Sequence, residues 1–236
     1  MFKAVEHGLK NAFRPLLLPS ALRALRSKTA ELNTVERAVD FAFNFRHRGI
    51  RFTPSQVREE ITGFLKLLSQ CPPTVILEIG TEKGGTFFLL TRVATPDAVL
   101  LSLDLPARLG AYPAWREPLY RGFAGKGQRI ELIRKDSHDP RTFEKVKKQL
   151  AGRPLDLLFI DGDHSYDGVK KDFEMYSTLV APGGTIAFHD IVDGPEGNVG
   201  GVPKFWREIR QTRCFTEFVK DWKQGGWGIG VLPGKK

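Results

Sequence analysis

The hydrophobic and polar positions of this chain alternate in a pattern that predicts strands and helices in turn from about residue 74 onward. Segments with helical spacing separate short apolar runs that are typical of buried strands. These runs are 75–79, 98–103, 130–133, 155–160 and 185–188, followed by 215–219 and 227–232. Repeated strand–helix units predict a Rossmann-like, doubly wound α/β fold with a mostly parallel, seven-stranded sheet and a final antiparallel hairpin.

The first 52 residues have a different pattern, in which apolar residues recur at helical spacing and no strand is expected. Residues 20–48 predict helices that end at Gly49. Thr53-Pro54-Ser55 then predicts the start of another helix, with Pro54 at its first position. We expect residues 1–52 to form a basic helical extension that packs on a sheet domain of residues 53–236.

Length and cysteine content favour a cytoplasmic enzyme. The 236 residues suffice for one well-packed α/β domain with an extension. No apolar run approaches the roughly 20 residues that span a bilayer, and the N-terminus lacks the long apolar region of a signal peptide. Cys71 and Cys214 are far apart and form no CxxC motif, which predicts reduced thiols.

The formal charge of +9 is concentrated in the N-terminal 30 residues and in residues 121–148. The sequence contains no recognisable nucleic-acid module, so binding to nucleic acid is not expected. Solvated helix faces and loops are the expected explanation of the charge, and peripheral contact of the N-terminus with an acidic membrane surface stays open. We expect a small molecule or glycoside as substrate, and a homo-oligomer.

Polar side chains follow the fourth and fifth predicted strands at the point where each strand ends. Asp161, Asp163 and His164 follow residues 155–160, and His189 and Asp190 follow residues 185–188. Parallel neighbouring strands end at the same edge of a sheet, which is where open α/β sheets bind ligands. The convergence of carboxylates and imidazoles predicts a metal site beside a substrate.

A glycine-rich turn follows the first predicted strand, in the pattern Glu78-x-Gly80-x-x-x-Gly84. Glycine lets the backbone approach a ligand closely, and the helix that opens behind the turn presents free N–H groups. Asp104 ends the second strand, where a carboxylate can accept hydrogen bonds from ribose hydroxyls. The pattern differs from the dinucleotide and P-loop motifs, but together with Asp104 it predicts a nucleoside ligand.

These motifs resemble the class I S-adenosylmethionine-dependent methyltransferases over about residues 57–232. The resemblance implies a donor site for S-adenosyl-L-methionine, with Asp136 and Ser137 near the adenine. The implied donor-site residues are Glu78, Gly80, Thr81, Gly84, Thr86, Asp104, Asp136, Ser137 and Asp161. Within the class, Phe159–Tyr166 (FIDGDHSY) and Phe188–Asp190 (FHD) resemble metal-dependent macrolide-sugar O-methyltransferases and the related cephalosporin hydroxylase-type proteins.

The narrower resemblance implies a divalent metal held by Asp161, His189 and Asp190, with His164 as the general base. The catechol-type relatives have an acid and an amide where this chain has His189-Asp190, and the sugar enzymes have two acids. An imidazole ligand suits Mn, Zn or Fe better than Mg. Three alternatives stay open: Asp161 contacts the donor in a metal-free enzyme, His189 acts as a base or supports a ligand, or His164 caps a helix.

The function that follows from the resemblance is transfer of a methyl group to a hydroxyl of a small molecule or glycoside, assisted by a metal. Two alternatives are a metal-dependent hydroxylase or other tailoring protein on the same fold and a non-catalytic adenosyl-binding module. Residues 105–127 predict a long loop. Its aromatic residues Tyr112, Trp115 and Tyr120 form either a substrate lid or simple packing.

Overall fold

The computed structural model describes residues 2–29, 31–106 and 111–234. Before the sheet come three helices, α1 (Phe2–Thr29), α2 (Val35–Asn44) and α3 (Arg58–Gln70). The sheet domain then alternates strands with helices: β1 (Val75–Ile79), α4 (Gly85–Val93), β2 (Val99–Asp104), α5 (Glu117–Arg121), β3 (Arg129–Arg134), α6 (Pro140–Leu150), β4 (Leu155–Ile160), α7 (Tyr166–Tyr176), β5 (Val180–His189), α8 (Glu196–Val199), α9 (Val202–Ile209), β6 (Thr216–Phe218) and β7 (Ile229–Pro233).

The strands form one seven-stranded sheet in the order β3-β2-β1-β4-β5-β7-β6. The strands β1 to β5 pair in parallel, β7 is antiparallel to β5, and β6 is antiparallel to β7. The predicted Rossmann-like class and its final antiparallel hairpin are therefore confirmed. The strand order reverses between β1 and β4, so a crevice opens at their carboxyl ends, where such sheets bind ligands.

Buried apolar residues line both faces of the sheet. All five residues of β1 are buried, as expected for a central parallel strand covered on both sides. One core lies under α1 to α4 and contains a cluster of rings around Phe52, whose centroid is 4.8 Å from those of Phe45, Phe88 and Phe123. The other core lies under α6, α7 and α9, where Trp206 is fully buried.

The N-terminal extension packs on the sheet domain, as expected. Leu18, Ala21 and Leu25 of α1 are buried in the same core as Phe52 and Phe88. The division of the chain at residue 52 stays a prediction. None of the described helices has the length and apolarity needed to cross a membrane.

Two sequence expectations about local structure are wrong. The third helix begins at Arg58 and not at Pro54, because the chain bends at Ser55 and Gln56, which line the ligand crevice. The described part of residues 105–127 contains a 3₁₀ turn and α5, and Tyr112 and Tyr120 are buried with ring centroids 4.7 Å apart. These two tyrosines are packing residues and not a lid; residues 107–110 of that segment lie outside the described residues.

Candidate active site

A cavity of about 720 Å³ lies at the carboxyl ends of β1, β2, β4 and β5. It brings together all of the site residues predicted from the sequence except Glu78 and Gly84, which do not line it. The predicted residues on its wall are Gly80, Thr81, Thr86, Asp104, Asp136, Ser137, Asp161, His164, His189 and Asp190. The strand ends therefore do converge on one site.

The glycines after β1 are required by the packing of the loop. Gly80 has φ +88°, and a Cβ there would lie 1.9 Å from the carbonyl oxygen of Asp161. Gly84 has φ +81°, and a Cβ there would lie 2.6 Å from the ring of Tyr120. Both positions favour glycine for its backbone and for its lack of a side chain. At both positions the close neighbour is another part of this chain, and not the ligand that was expected from the sequence.

Glu78 lies beneath the cavity and fixes the loop from below. The hydroxyl of Thr81 donates to Glu78 Oε2 at 2.7 Å and lies 2.7 Å from the hydroxyl of Ser102. Glu78 is fully buried, and burial raises the pKa of its carboxyl well above the usual range. Glu78 therefore supports the donor loop from within the sheet.

Asp104 holds the same loop from the side and forms part of the cavity wall. One oxygen, Oδ2, accepts hydrogen bonds from the backbone N–H groups of Thr81 and Glu82 at 3.1 and 2.8 Å. The other oxygen, Oδ1, accepts from Leu105 N at 2.7 Å. Burial raises the pKa of the Asp104 carboxyl, and these backbone hydrogen bonds oppose the rise. Asp104 thus links the ends of β1 and β2 at the position expected for a ribose contact.

Asp136 and Ser137 follow β3 at the same edge of the cavity. Asp136 Oδ1 accepts a hydrogen bond from His138 N at 2.8 Å, and the carbonyl of Ser137 accepts one from Tyr176 at 2.8 Å. The ring of His138 turns away from this contact, with Nε2 3.1 Å from the carbonyl oxygen of Gly168. The turn after β3 is therefore fixed before any ligand binds.

Asp161, His164 and Asp190 form the polar centre of the cavity. One candidate donor atom from each lies within 4.8 Å of the others. His164 Nε2 is 3.5 Å from Asp161 Oδ1. The other ring nitrogen, Nδ1, hydrogen-bonds to the carbonyl of Asn198. That contact leaves Nε2 directed toward the carboxylate of Asp161.

His189 lies beside this centre in a different arrangement from the one predicted. Its Nδ1 is 3.1 Å from Asp161 Oδ1 and hydrogen-bonds to it. Its Nε2 is buried and has no hydrogen-bond partner among the described residues. Asp161, His164 and Asp190 are the residues whose atoms could share an ion. His189 Nδ1 also lies 3.4 Å from Asp190 Oδ1, so its role as a ligand stays a prediction.

The charges of this centre depend on one another. Burial raises the pKa of the Asp161 carboxyl, but the neighbouring charges and hydrogen bonds of His189 and His164 outweigh it and lower the pKa to about 2. The hydrogen bond with Asp161 raises the pKa of His164 to about 9, against the effect of burial. Burial also raises the pKa of Asp190. Without a cation, Asp161 is therefore ionised and His164 carries a proton at neutral pH.

Sequence reasoning missed Gln56, Glu60 and Trp227. Gln56 is buried, donates through Nε2 to Asp161 Oδ2 at 3.1 Å and accepts from the hydroxyl of Thr86 at 2.6 Å. Trp227 lines the cavity, and the buried Glu60 accepts hydrogen bonds from the loop that carries Trp227. A polar residue inside the apolar face of a predicted helix, as Glu60 is, was the one available signal.

Residues 77–191 match a protein family described as a methyltransferase domain. These residues therefore resemble a methyltransferase domain. The resemblance to the methyltransferases that was expected from the sequence is confirmed for this region. This domain spans β1 to the end of β5, which are the strands that bring the donor loop and the polar centre together.

Solved structures show the same fold. The methyltransferase domain and its flanking helices resemble the O-methyltransferase TomG of Streptomyces achromogenes, involved in tomaymycin synthesis and solved with SAM (20% identity, TM-score 0.61, 84% of this chain and 90% of that one). An O-methyltransferase of Bacillus cereus, solved with SAH, matches over 97% of both chains (19% identity, TM-score 0.59).

Two curated relatives share sequence with this chain. The uncharacterized protein y4gI of Sinorhizobium fredii is 26% identical over 171 residues, which are 69% of this chain and 18% of that protein. An uncharacterized protein of Acanthamoeba polyphaga mimivirus is 32% identical over 117 residues, 50% of this chain and 51% of that protein. The chain thus matches about half or less of the length of these relatives.

Proposed function

We propose that this chain transfers the methyl group of S-adenosyl-L-methionine to a hydroxyl oxygen of a small molecule or glycoside, with the assistance of a divalent cation. The observation that carries the proposal is a single cavity with the donor loop at one end and the centre of Asp161, His164 and Asp190 at the other. The O-methyltransferase descriptions of the structural neighbours agree with it.

The donor end of the cavity fits an adenosyl ligand. Asp104 presents a carboxylate at the tip of β2, and Thr81 and Gly80 are held close to it by the hydrogen bonds described above. The donor, when bound, supplies an electrophilic methyl carbon on a sulfonium. The residues of the loop position it, because each is fixed by a neighbour before the ligand arrives.

The polar centre fits a divalent cation. Two carboxylates and an imidazole supply three donor atoms within 4.8 Å of one another. Histidine ligands typically donate a hydrogen bond from their other ring nitrogen to a carbonyl, and His164 contacts Asn198 in this way. His189 donates to Asp161 and would orient that carboxylate. A mixed imidazole and carboxylate set favours Mn²⁺, Fe²⁺ or Zn²⁺ over Mg²⁺.

A cation at this centre would bind the acceptor oxygen and lower the pKa of its hydroxyl. Asp161, Asp190 and His164 would hold that cation at the end of the cavity, and their fixed positions would orient the acceptor beside the donor. The predicted role of His164 as the general base requires the neutral imidazole and no cation on Nε2. Ligand and base are therefore alternative roles for His164, and the need for a cation distinguishes them.

The first test is titration of the purified protein with S-adenosylhomocysteine in a calorimeter. Micromolar binding is expected, and Asp104→Asn should weaken it by about tenfold, because a charge-assisted hydrogen-bond acceptor is removed. An exposed carboxylate outside the cavity wall, Asp193, provides the matched control. Asp193→Asn should bind as the wild type does. Absence of binding would contradict the proposal.

The second test concerns the cation. Asp190→Asn should lower the affinity for Mn²⁺, measured by electron paramagnetic resonance, by at least about tenfold, since ligand charge dominates binding of hard cations. It should also abolish methylation of catechol and pyranoside acceptors, detected as a mass gain of one CH₂. Chelation should do the same to the wild type. Methylation that survives chelation would assign His164 to base catalysis, and a gain of one oxygen would favour the hydroxylase alternative.

A further inference from the structure

The loop between β6 and β7 supplies a wall of the cavity that the reaction described above does not use. We propose that Trp227 in this loop is the stacking surface for the acceptor, which is a neutral ring with hydroxyl groups. The proposal rests on the proposed function, since it assumes an acceptor beside Asp161 and Asp190. A phenol ring and the apolar face of a pyranose both have the required chemistry.

The backbone of Trp227 points to a role of this kind. Gly225, Gly226 and Gly228 have φ of +78°, +126° and +84°, and Trp227 between them has φ +61°. Positive φ is natural for glycine and unfavourable for a bulky side chain. Such outliers persist where the surrounding structure enforces them, and they cluster at functional sites. Glycine at position 227 would adopt this conformation with less strain. The presence of tryptophan there indicates that the indole side chain is functional.

Three hydrogen bonds hold Trp227 in this conformation. Its backbone N–H donates to Asp190 Oδ1 at 3.1 Å, and its carbonyl accepts from Val192 N at 2.9 Å. Its indole Nε1 donates to the carbonyl of Ser55 at 3.0 Å. The residue that carries the ring is therefore bonded directly to one carboxylate of the polar centre, and the orientation of the ring is fixed as well.

The buried carboxylate of Glu60 fixes the rest of the loop. Oε1 accepts from Lys220 N at 3.0 Å and from Gln224 Nε2 at 2.7 Å, and Oε2 accepts from Gly228 N at 2.9 Å. Glu60 is 2% exposed. A buried carboxylate satisfied by three donors of one loop is a strong anchor. The loop is thus preorganised, which reduces the entropy lost when a ligand binds.

The ring of Trp227 remains available for a ligand. It lines the cavity and is 39% exposed, and no aromatic or cation contact involves it among the described side chains. Indole offers a large apolar face at a small cost in conformational entropy, and aromatic rings stack on it in offset or edge-to-face geometry. A ring on this face would direct its hydroxyls toward the neighbouring Asp190 and Asp161.

The test uses the full chain with S-adenosylhomocysteine and Mn²⁺, and two probes, catechol and methyl glucopyranoside. At least one should bind in the calorimeter. Trp227→Ala should weaken that binding by roughly tenfold, and Trp227→Phe, which keeps a ring, by less than about threefold. Trp222 is a matched control, because it is 54% exposed in the same loop and does not line the cavity. Trp222→Ala should bind both probes as the wild type does.

A nuclear magnetic resonance measurement on the wild-type protein tests the same contact without relying on the fold of the alanine variant. The indole N–H resonance that disappears in Trp227→Phe should shift when the probe is added to the wild-type protein. Binding of catechol alone assigns an aromatic acceptor, and binding of the glucoside alone assigns a sugar. The proposal is overturned if neither probe binds while S-adenosylhomocysteine does, if that resonance stays in place, or if Trp227→Ala binds normally. Loss of S-adenosylhomocysteine binding in the wild type would instead refute the proposed function, and this inference with it.

Discussion

At the scale of single residues, the properties of the polar centre come from side chains that are distant in sequence. Asp161 is contacted by Gln56, His164 and His189. The strand-end pattern predicted Asp161 and both histidines, because all three lie within four residues of the end of an apolar run. It did not predict Gln56, since a lone polar residue before a helix carries no periodic signal. The residues that reach a site are therefore easier to predict from sequence than the residues that orient them.

His138 next to the donor site gives a prediction at this scale. Its Nε2 is 3.3 Å from Asp172 Oδ1, a carboxylate with no exposed surface, and this contact raises the pKa of His138 above its usual 6.5. The charged imidazole is therefore favoured in the folded state. Its contribution to stability is complete below pH 6.5 and is lost as pH rises through the folded-state pKa.

We expect His138→Gln to lower the free energy of unfolding by about 2 kcal/mol at pH 6, because the ion pair with the buried carboxylate of Asp172 is lost. The difference from the wild type should narrow toward pH 9. Urea denaturation at several pH values measures both quantities. A difference that is constant with pH would refute the assigned charge state of His138.

At the scale of secondary structure, periodicity predicted every strand of the sheet, and the errors lie where tertiary contacts decide. The start signal at Pro54 did not open a helix, because residues 53–56 line the cavity and Gln56 bonds to Thr86. Tyr112 and Tyr120, in the segment after β2, are buried. Tyr120 donates to the carbonyl of Glu82 at 2.6 Å, a contact made by the fold and not readable from local sequence.

The turn from β1 into α4 can be tested with a matched pair of glycines. Gly80→Ala would place a Cβ 1.9 Å from the Asp161 carbonyl oxygen at φ +88°. Gly183 has φ +78°, and nothing lies within 4 Å of its Cβ position. We expect Gly80→Ala to lower the free energy of unfolding by about 3 kcal/mol and Gly183→Ala to lower it by about 1 kcal/mol. Only Gly80→Ala adds steric crowding to the backbone strain. Urea denaturation measures both values, and equal losses of free energy would show that the turn at Gly80 shifts to accommodate the added Cβ.

At the scale of the whole molecule, the N-terminal helices and the sheet share one core. Phe52 is fully buried among rings from α2, α4 and the segment after α5. The sequence predicted that the extension packs on the sheet but gave no sign of how closely, because packing between distant segments leaves no periodic trace. A shared core makes cooperative unfolding the expected behaviour.

Phe52→Ala should therefore destabilise the entire chain by about 3–5 kcal/mol, the usual cost of removing a buried aromatic ring. Leu16→Ala is the control, because Leu16 is 74% exposed, and its effect should be below about 0.5 kcal/mol. Calorimetry should record a single transition in both variants. A separate early transition in Phe52→Ala would instead indicate that the extension unfolds independently of the sheet.

The residues that line the cavity come partly from the region that matches the methyltransferase family and partly from segments on either side of it. The region that matches the methyltransferase family, 77–191, carries the donor loop and the polar centre. Ser55, Asn198 and Trp227 also line the cavity but lie outside that region. These flanking segments contact the loop after β1 and the polar centre, since Ser55 bonds to Glu82 and Trp227 bonds to Asp190. Under the proposed function, a change of acceptor is therefore expected to arise from substitutions in these flanking segments while residues 77–191 stay constant.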